Sequence, residues 1–229
     1  MLSAAEWAIV GLTLQVGAAA MIGTLPLAFA LAWLLARGRF PGKVVLDALV
    51  HLPLVLPPVV TGWLLLLVFA PGGPVGSVLK AWLGVTLLFN WGGAALASGV
   101  MALPLMVRAM RLSIEAVDAR LENAARTLGA GRWRVFRTIT LPLSMPGLIA
   151  GLVLGFARSI GEFGATITFV ANVPGQTQTL PLAIYSALQL PGGEAGVIRL
   201  ASVSVALALA ALIGSEALAR RAGRGLHGV

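Results

Sequence analysis

The sequence predicts an all-α membrane protein with five transmembrane helices, its N-terminus outside and its C-terminus in the cytoplasm. Three observations lead there: a shortage of charge, five long apolar runs, and basic residues crowded on one side of those runs. The chain has 229 residues, of which 59% are hydrophobic and only 10% charged. A soluble domain carries about 25% charged residues, so this chain lacks the polar surface needed to cover a core in water. A soluble enzyme and a disordered segment are excluded on that ground, and the lack of cysteine excludes a disulfide scaffold.

The elements can be justified in order. Residues 7–36 contain no Asp, Glu, Lys or Arg. A hydrocarbon core of roughly 30 Å needs about 20 such residues in a helix, so this run spans with length to spare. The residues before it lack a basic n-region, and the run exceeds the usual signal-peptide core, so it reads as a span rather than a cleaved leader. Further spans are expected at about 51–71, 85–107, 141–170 and 197–218, followed by a tail at 220–229. The fourth is interrupted only by Arg158 and Glu162 and is too long for one straight crossing, so a bend or re-entrant part is expected.

Orientation comes from the cations. Of the 16 basic residues, thirteen lie after spans one, three and five, whereas the alternate side has only Lys80. Cytoplasmic loops carry the excess of Lys and Arg, which places those thirteen inside. The formal charge of +8 is then explained by topology and anionic lipid, and no nucleic-acid partner is expected.

The outer segments are short. Residues 71–84 are rich in Gly and Pro and end in an amphipathic piece around Leu79, Trp82 and Leu83; residues 172–196 are expected to hold a short interfacial helix at 180–190. Neither is large enough for a binding domain. The inner segment at 113–140 differs, with apolar residues Ile114, Val117, Leu121, Ala124, Ala125 and Leu128 forming one helical stripe before Gly129 and Gly131. Two readings fit this pattern: a helix that docks into a groove on a partner, or a helix lying on the lipid surface.

The same segment carries a resemblance. Ala124-Ala125, three residues, Gly129, nine residues and Ile139-x-Leu141-Pro142 are similar to the EAA loop of the permeases of bacterial ABC importers. The family form begins with Glu, where this chain has Asn123 preceded by Glu122. Residues 157–165, Ala-Arg-Ser-Ile-Gly-Glu-Phe-Gly-Ala, resemble the segment shared by oxyanion permeases, and the runs at 51–60, 124–135 and 191–194 resemble the molybdate permeases in particular. The resemblance implies a type I ABC importer transmembrane domain over 7–219. It further implies a second copy of the chain, two ATP-binding subunits on the cytoplasmic side and a periplasmic molybdate-binding protein. On this reading Glu122, Asn123, Ala124, Ala125, Gly129, Ile139, Leu141 and Pro142 form the ATPase-coupling loop. A sulfate or thiosulfate permease is the nearest rival. An ion-coupled secondary transporter is more distant, since it would show a repeated half and mid-membrane carboxylates.

The residues themselves add to this division of labour. No Gly-x4-Gly-Lys-[Ser/Thr] occurs in the chain, so ATP hydrolysis is expected on a separate subunit. No cofactor and no metal-binding set is expected. Span two holds Pro53, Pro57 and Pro58, each lacking an N–H donor, which gives either a broken helix lining a path or a packing kink. Gly147, Gly151 and Gly155 form a small-residue ridge for close helix approach, within the chain or across a dimer.

Arg158 and Glu162 are four residues apart and would share a face of a continuing helix. They read as a mutually neutralising pair, as a gate with Arg158 drawing in a dianion, or as an ATPase contact. Ser159, Gly164 and Thr166 around them suit a narrow path that does not grip its solute. Trp7, Trp33, Trp82 and Trp91 read as interfacial anchors, His51 as an interfacial residue, His227 as a tail residue, and Glu216–Arg220 as an i, i+4 pair.

Overall fold

The computed structural model describes residues 2–224, with side chains as far as Gly214. The Glu216–Arg220 pairing, His227 and the side chains of the 220–229 tail lie outside the described residues. The architecture is all helical: α1 (Ala4–Arg37), α2 (Lys43–Val55), α3 (Pro58–Phe69), α4 (Gly76–Leu83), α5 (Trp91–Glu115), α6 (Ala119–Thr127), α7 (Arg132–Val135), α8 (Leu141–Ile160), α9 (Gly164–Val170), α10 (Leu180–Leu188) and α11 (Glu194–Arg224). Four stretches are long and apolar enough to cross a bilayer: Ala4–Arg37, Trp91–Glu115, Arg132–Ile160 and Glu194–Gly214. A fifth exists if α2 and α3 count as one span broken by 115°.

Local chemistry explains the boundaries. Ser3 and Glu6 form a reciprocal capping box that opens α1, each side chain taking the other's backbone N–H. Pro57 precedes α3 and Pro58 occupies its first turn, where the missing N–H costs nothing. The same prolines cannot continue α2, which is why the second apolar run is two helices rather than one.

The fourth run also departs from the expected 141–170. Its long helix starts nine residues earlier, at Arg132, and stops at Ile160. A π-helical segment at Phe136–Thr140 joins α7 to α8, with the Leu141 N–H reaching back to the Phe136 carbonyl. Pro142 explains this widening: it has no N–H to donate and its ring crowds the preceding turn. After a break at 161–163 the chain resumes as the separate seven-residue α9.

The core is built around α5. Ala94, Ala97, Ala102, Met106, Val107, Met110 and Ile114 of that helix are fully buried, and α1, α8 and α9 pack on it. The glycine ridge of α8 is spent on this contact. A Cβ on Gly155 would lie 2.8 Å from both Met106 Cγ and Met21 Sδ, one on Gly151 would lie 3.1 Å from the Met106 carbonyl, and one on Gly147 would collide with Ser113. The ridge therefore packs inside one chain and offers no support for contact between copies. α10 seats Leu180 and Ala183 against Val10 and Leu200, so it is part of a second small core rather than a purely interfacial helix.

Candidate coupling surface and transport path

The inner segment is not one continuous helix. α5 ends at Glu115, and the Asp118 carboxylate accepts the Arg120 N–H at 2.8 Å to start α6 afresh. The apolar stripe divides at that point. Ile114 and Val117 are buried in the chain's own core, whereas Leu121 and Ala124 on α6 and Leu128 at its C-cap remain exposed, Leu128 to 88%. Ala125 is half-buried at the edge of this exposed face. Gly129 then takes φ +84°, a left-handed conformation that ends the helix and turns the chain toward α7.

Glu122 occupies the opposite face of α6 and is buried. Its Oε1 accepts from Arg37 Nη2 at 2.8 Å and from the Thr140 hydroxyl at 2.7 Å, while Arg126 lies 3.5 Å from Oε2. Arg37 also donates to the Ile114 carbonyl at 3.3 Å. One carboxylate thus ties the short inner helix to the end of α1 and to the π-helical segment. Asn123, at the position where the family form has Glu, is exposed and accepts from Arg126 Nη1 at 2.9 Å. Ile139 and Leu141, on either side of Thr140 in the chain, are half-buried, and Pro142 sits at the start of α8. Glu122→Ala is expected to cost about 2 kcal/mol, the usual loss when hydrogen bonds to a charged group are removed. Thermal unfolding of the purified protein measures this. Glu122→Gln, which keeps an acceptor for Thr140, should lose less, and equal stability for wild type and Glu122→Ala would contradict the tie.

The second group lies where α8 breaks. The Glu162 side chain is 1% exposed, with Oε2 2.6 Å from Arg158 Nη1. Its Oε1 accepts the Ala165 N–H of α9 at 2.9 Å. The ion pair therefore does not lie along one continuing helix; it bridges the end of α8 to the start of α9. The prolines of the broken second span meet the same place. A Cβ on Gly164 would lie 2.7 Å from Pro58 Cβ, and one on Gly62 of α3 would lie 2.6 Å from the Ala165 carbonyl.

These two glycines let the backbones of α3 and α9 touch. Ser159 and Thr166 are buried and their hydroxyls find no partner among the described residues, as is true of Thr61 on α3. Pro57 and Pro58 are exposed at the break between α2 and α3. Glu162→Gln keeps the acceptor for Ala165 and loses only the charge, whereas Glu162→Ala loses both. The unfolding temperature should fall further for Glu162→Ala than for Glu162→Gln, and the reverse order would contradict a capping role for this side chain.

Two further polar networks, like that of Glu122, escaped the sequence reading. Glu6 Oε1 accepts from Arg199 Nε at 2.9 Å, pinning the start of α1 to α11 across 193 residues. Arg111 pairs with Asp47 at 3.0 Å and with Glu115 at 2.8 Å, and His51 Nδ1 lies 3.3 Å from the other Asp47 oxygen. The sequence signal for the first was a lone cation inside the fifth apolar run, which must find a carboxylate. Among the described residues, no cluster of His, Cys, Asp and Glu has the arrangement of a metal site.

Four apolar helical stretches of membrane-spanning length, a loop with an exposed apolar face and a broken helix pair define the architecture of the described residues. Residues 24–224 match the family of binding-protein-dependent transport system inner membrane components. The chain belongs to this family. Among relatives of this inner membrane component, the molybdenum transport system permease protein ModB of Escherichia coli is 58% identical over 223 residues, covering 96% of this chain and 97% of that protein. The sulfate transport system permease protein CysT of Escherichia coli is 38% identical over 201 residues, covering 86% of this chain and 71% of that protein. The fold resembles that of a bacterial alginate ABC transporter, crystallised in complex with an alginate-bound periplasmic protein. That likeness has a TM-score of 0.75 at 19% identity and covers 96% of this chain and 80% of the other. The inner membrane component is thus a multi-pass helical membrane protein with the fold of an ABC transporter transmembrane domain.

Proposed function

We propose that this chain forms the membrane path of an ATP-driven importer of molybdate, with tungstate as the alternative solute. It works as two identical copies with two cytoplasmic ATP-binding subunits and a periplasmic molybdate-binding protein. The observation that carries the solute is the 58% identity over nearly the whole of both chains to a molybdenum permease, against 38% to a sulfate permease. The charge asymmetry supports an N-terminus in the periplasm and the 113–140 loop in the cytoplasm. Hydrolysis belongs to the partner, because the chain has no phosphate-cradling loop with its lysine.

The residues take roles within that assembly. The exposed face of α6, formed by Leu121, Ala124 and Leu128, docks into the ATPase, and Ala125 and Gly129 shape its edge and end. Closure of the ATPase dimer draws the two α6 helices together. That motion is passed to α1 through Arg37–Glu122 and to α8 through Thr140. At the other end of α8, the α3–α9 contact is where the path opens. Arg158 is freed from its latch Glu162 and attracts the dianion without holding it tightly, as conduction requires.

ATP hydrolysis by the reconstituted complex tests this reading. Molybdate-loaded binding protein should stimulate hydrolysis at concentrations where sulfate has no effect. Stimulation by sulfate alone would reassign the solute, and no response to either anion would contradict the transport assignment.

A further inference from the structure

A groove of about 700 Å³ runs between the inner end of α1 and the α7–α8 junction, lined by Phe29, Trp33, Leu34, Trp133, Phe136 and Arg132. Its aromatic wall is ordered by mutual contact. The Trp33 and Phe136 rings meet edge-on with centroids 5.1 Å apart, and Trp133 stacks on Phe136 at 5.2 Å. Trp133 is nevertheless 67% exposed, and Arg132 is exposed with no described carboxylate paired to it.

We propose that this groove binds one anionic phospholipid, with an acyl chain along Phe29, Trp33 and Phe136 and the headgroup phosphate at Arg132. Depth selects lipid over a soluble protein. Phe29 lies eight residues before Arg37, about 12 Å below the charged end of α1, within the uncharged run and beside the exposed Leu27 and Leu34. A cytoplasmic partner cannot reach that depth, whereas an acyl chain lies there already. Charge selects an anionic headgroup. Arg132 stands where the apolar helix begins, the place at which basic pockets between spans hold anionic lipids. The aromatic rings supply the belt chemistry of a membrane interface. The choice of the inner leaflet rests on the orientation proposed above; the binding itself does not.

The test is native mass spectrometry of the complex with its ATPase subunits. The complex is delipidated in detergent and then supplied with phosphatidylglycerol or phosphatidylcholine of identical acyl chains. One phosphatidylglycerol should be retained in preference. Arg132→Gln should weaken that retention about fivefold, the effect of one cation near an anionic headgroup, and weaken phosphatidylcholine less, because choline offsets its phosphate charge. Arg132→Lys should restore it. Trp133→Ala should weaken both lipids, and Arg108→Gln, an exposed cation lining a different pocket, neither.

Four results would each overturn the proposal: equal retention of the two lipids, no effect of Arg132→Gln, an equal effect of Arg108→Gln, or displacement by glycerol 3-phosphate, which has no acyl chain. Binding seen only after the ATPase subunits are stripped away would also overturn it, because protein would then cover the groove. Molybdate uptake is scored separately, so failure of the transport assignment and failure of lipid binding are distinguishable.

Discussion

Complexes carrying Ala124→Glu are expected to insert and assemble in the membrane but to lose solute uptake. Ala124 lies on the exposed face of α6 between Leu121 and Leu128 and fills no part of the chain's own core. Adding a carboxylate there leaves the fold untouched. In the docked complex the same charge would be buried against an ATPase groove without a partner. Losses of 2 kcal/mol or more are typical when a central interface contact is spoiled, so coupled transport should fall by at least about thirtyfold. Uptake and ATP hydrolysis measured on one preparation distinguish uncoupling from misfolding: basal hydrolysis survives and its response to loaded binding protein disappears. Wild-type coupled uptake by Ala124→Glu would remove α6 as the docking element.

The second large effect is expected at Gly62. A valine Cβ there would lie 2.6 Å from the Ala165 carbonyl, 3.0 Å from Ala165 Cα and 2.9 Å from Thr168 Cβ. Two of these atoms are backbone and cannot rotate aside, so α3 must withdraw from α9. Overpacking of this kind costs about 1–3 kcal/mol. The displacement falls beside Glu162 and Pro58, the residues assigned to the path. Gly62→Val should therefore lower the unfolding temperature and nearly abolish uptake, with Gly62→Ala between it and wild type, since its Cβ meets the same atoms. Unimpaired uptake by Gly62→Val would show that the α3–α9 contact is not part of the path.

Much of the fold was legible because helices in lipid announce themselves by length and apolarity. The run at 7–36 corresponds to α1, and the prolines at 57 and 58 marked the break between α2 and α3. The bend expected in the fourth run falls at 161–163. The helix itself begins nine residues before the expected span, with Arg132, Arg134 and Arg137 on its first turns, where the sequence read as loop.

The glycine ridge shows a different limit. Its spacing reveals that something packs closely there, but not that the partner is α5 of the same chain. Periodicity is equally silent on long-range polar pairs. Arg37 and Glu122 are 85 residues apart and lie in segments whose local patterns say nothing of each other. At the candidate site, the sequence grouped Arg158 with Glu162 by spacing. Only the fold reveals that the carboxylate also caps α9 and that Gly164 rests on Pro58.

The most direct measurement is molybdate uptake into proteoliposomes that contain this chain, its ATPase subunits and its binding protein, with and without ATP and with excess sulfate outside. The expected result is uptake that requires ATP and persists in the presence of sulfate. Uptake driven by an ion gradient with no ATPase present would contradict the coupling role of α6, and uptake abolished by sulfate would contradict the assignment of the solute.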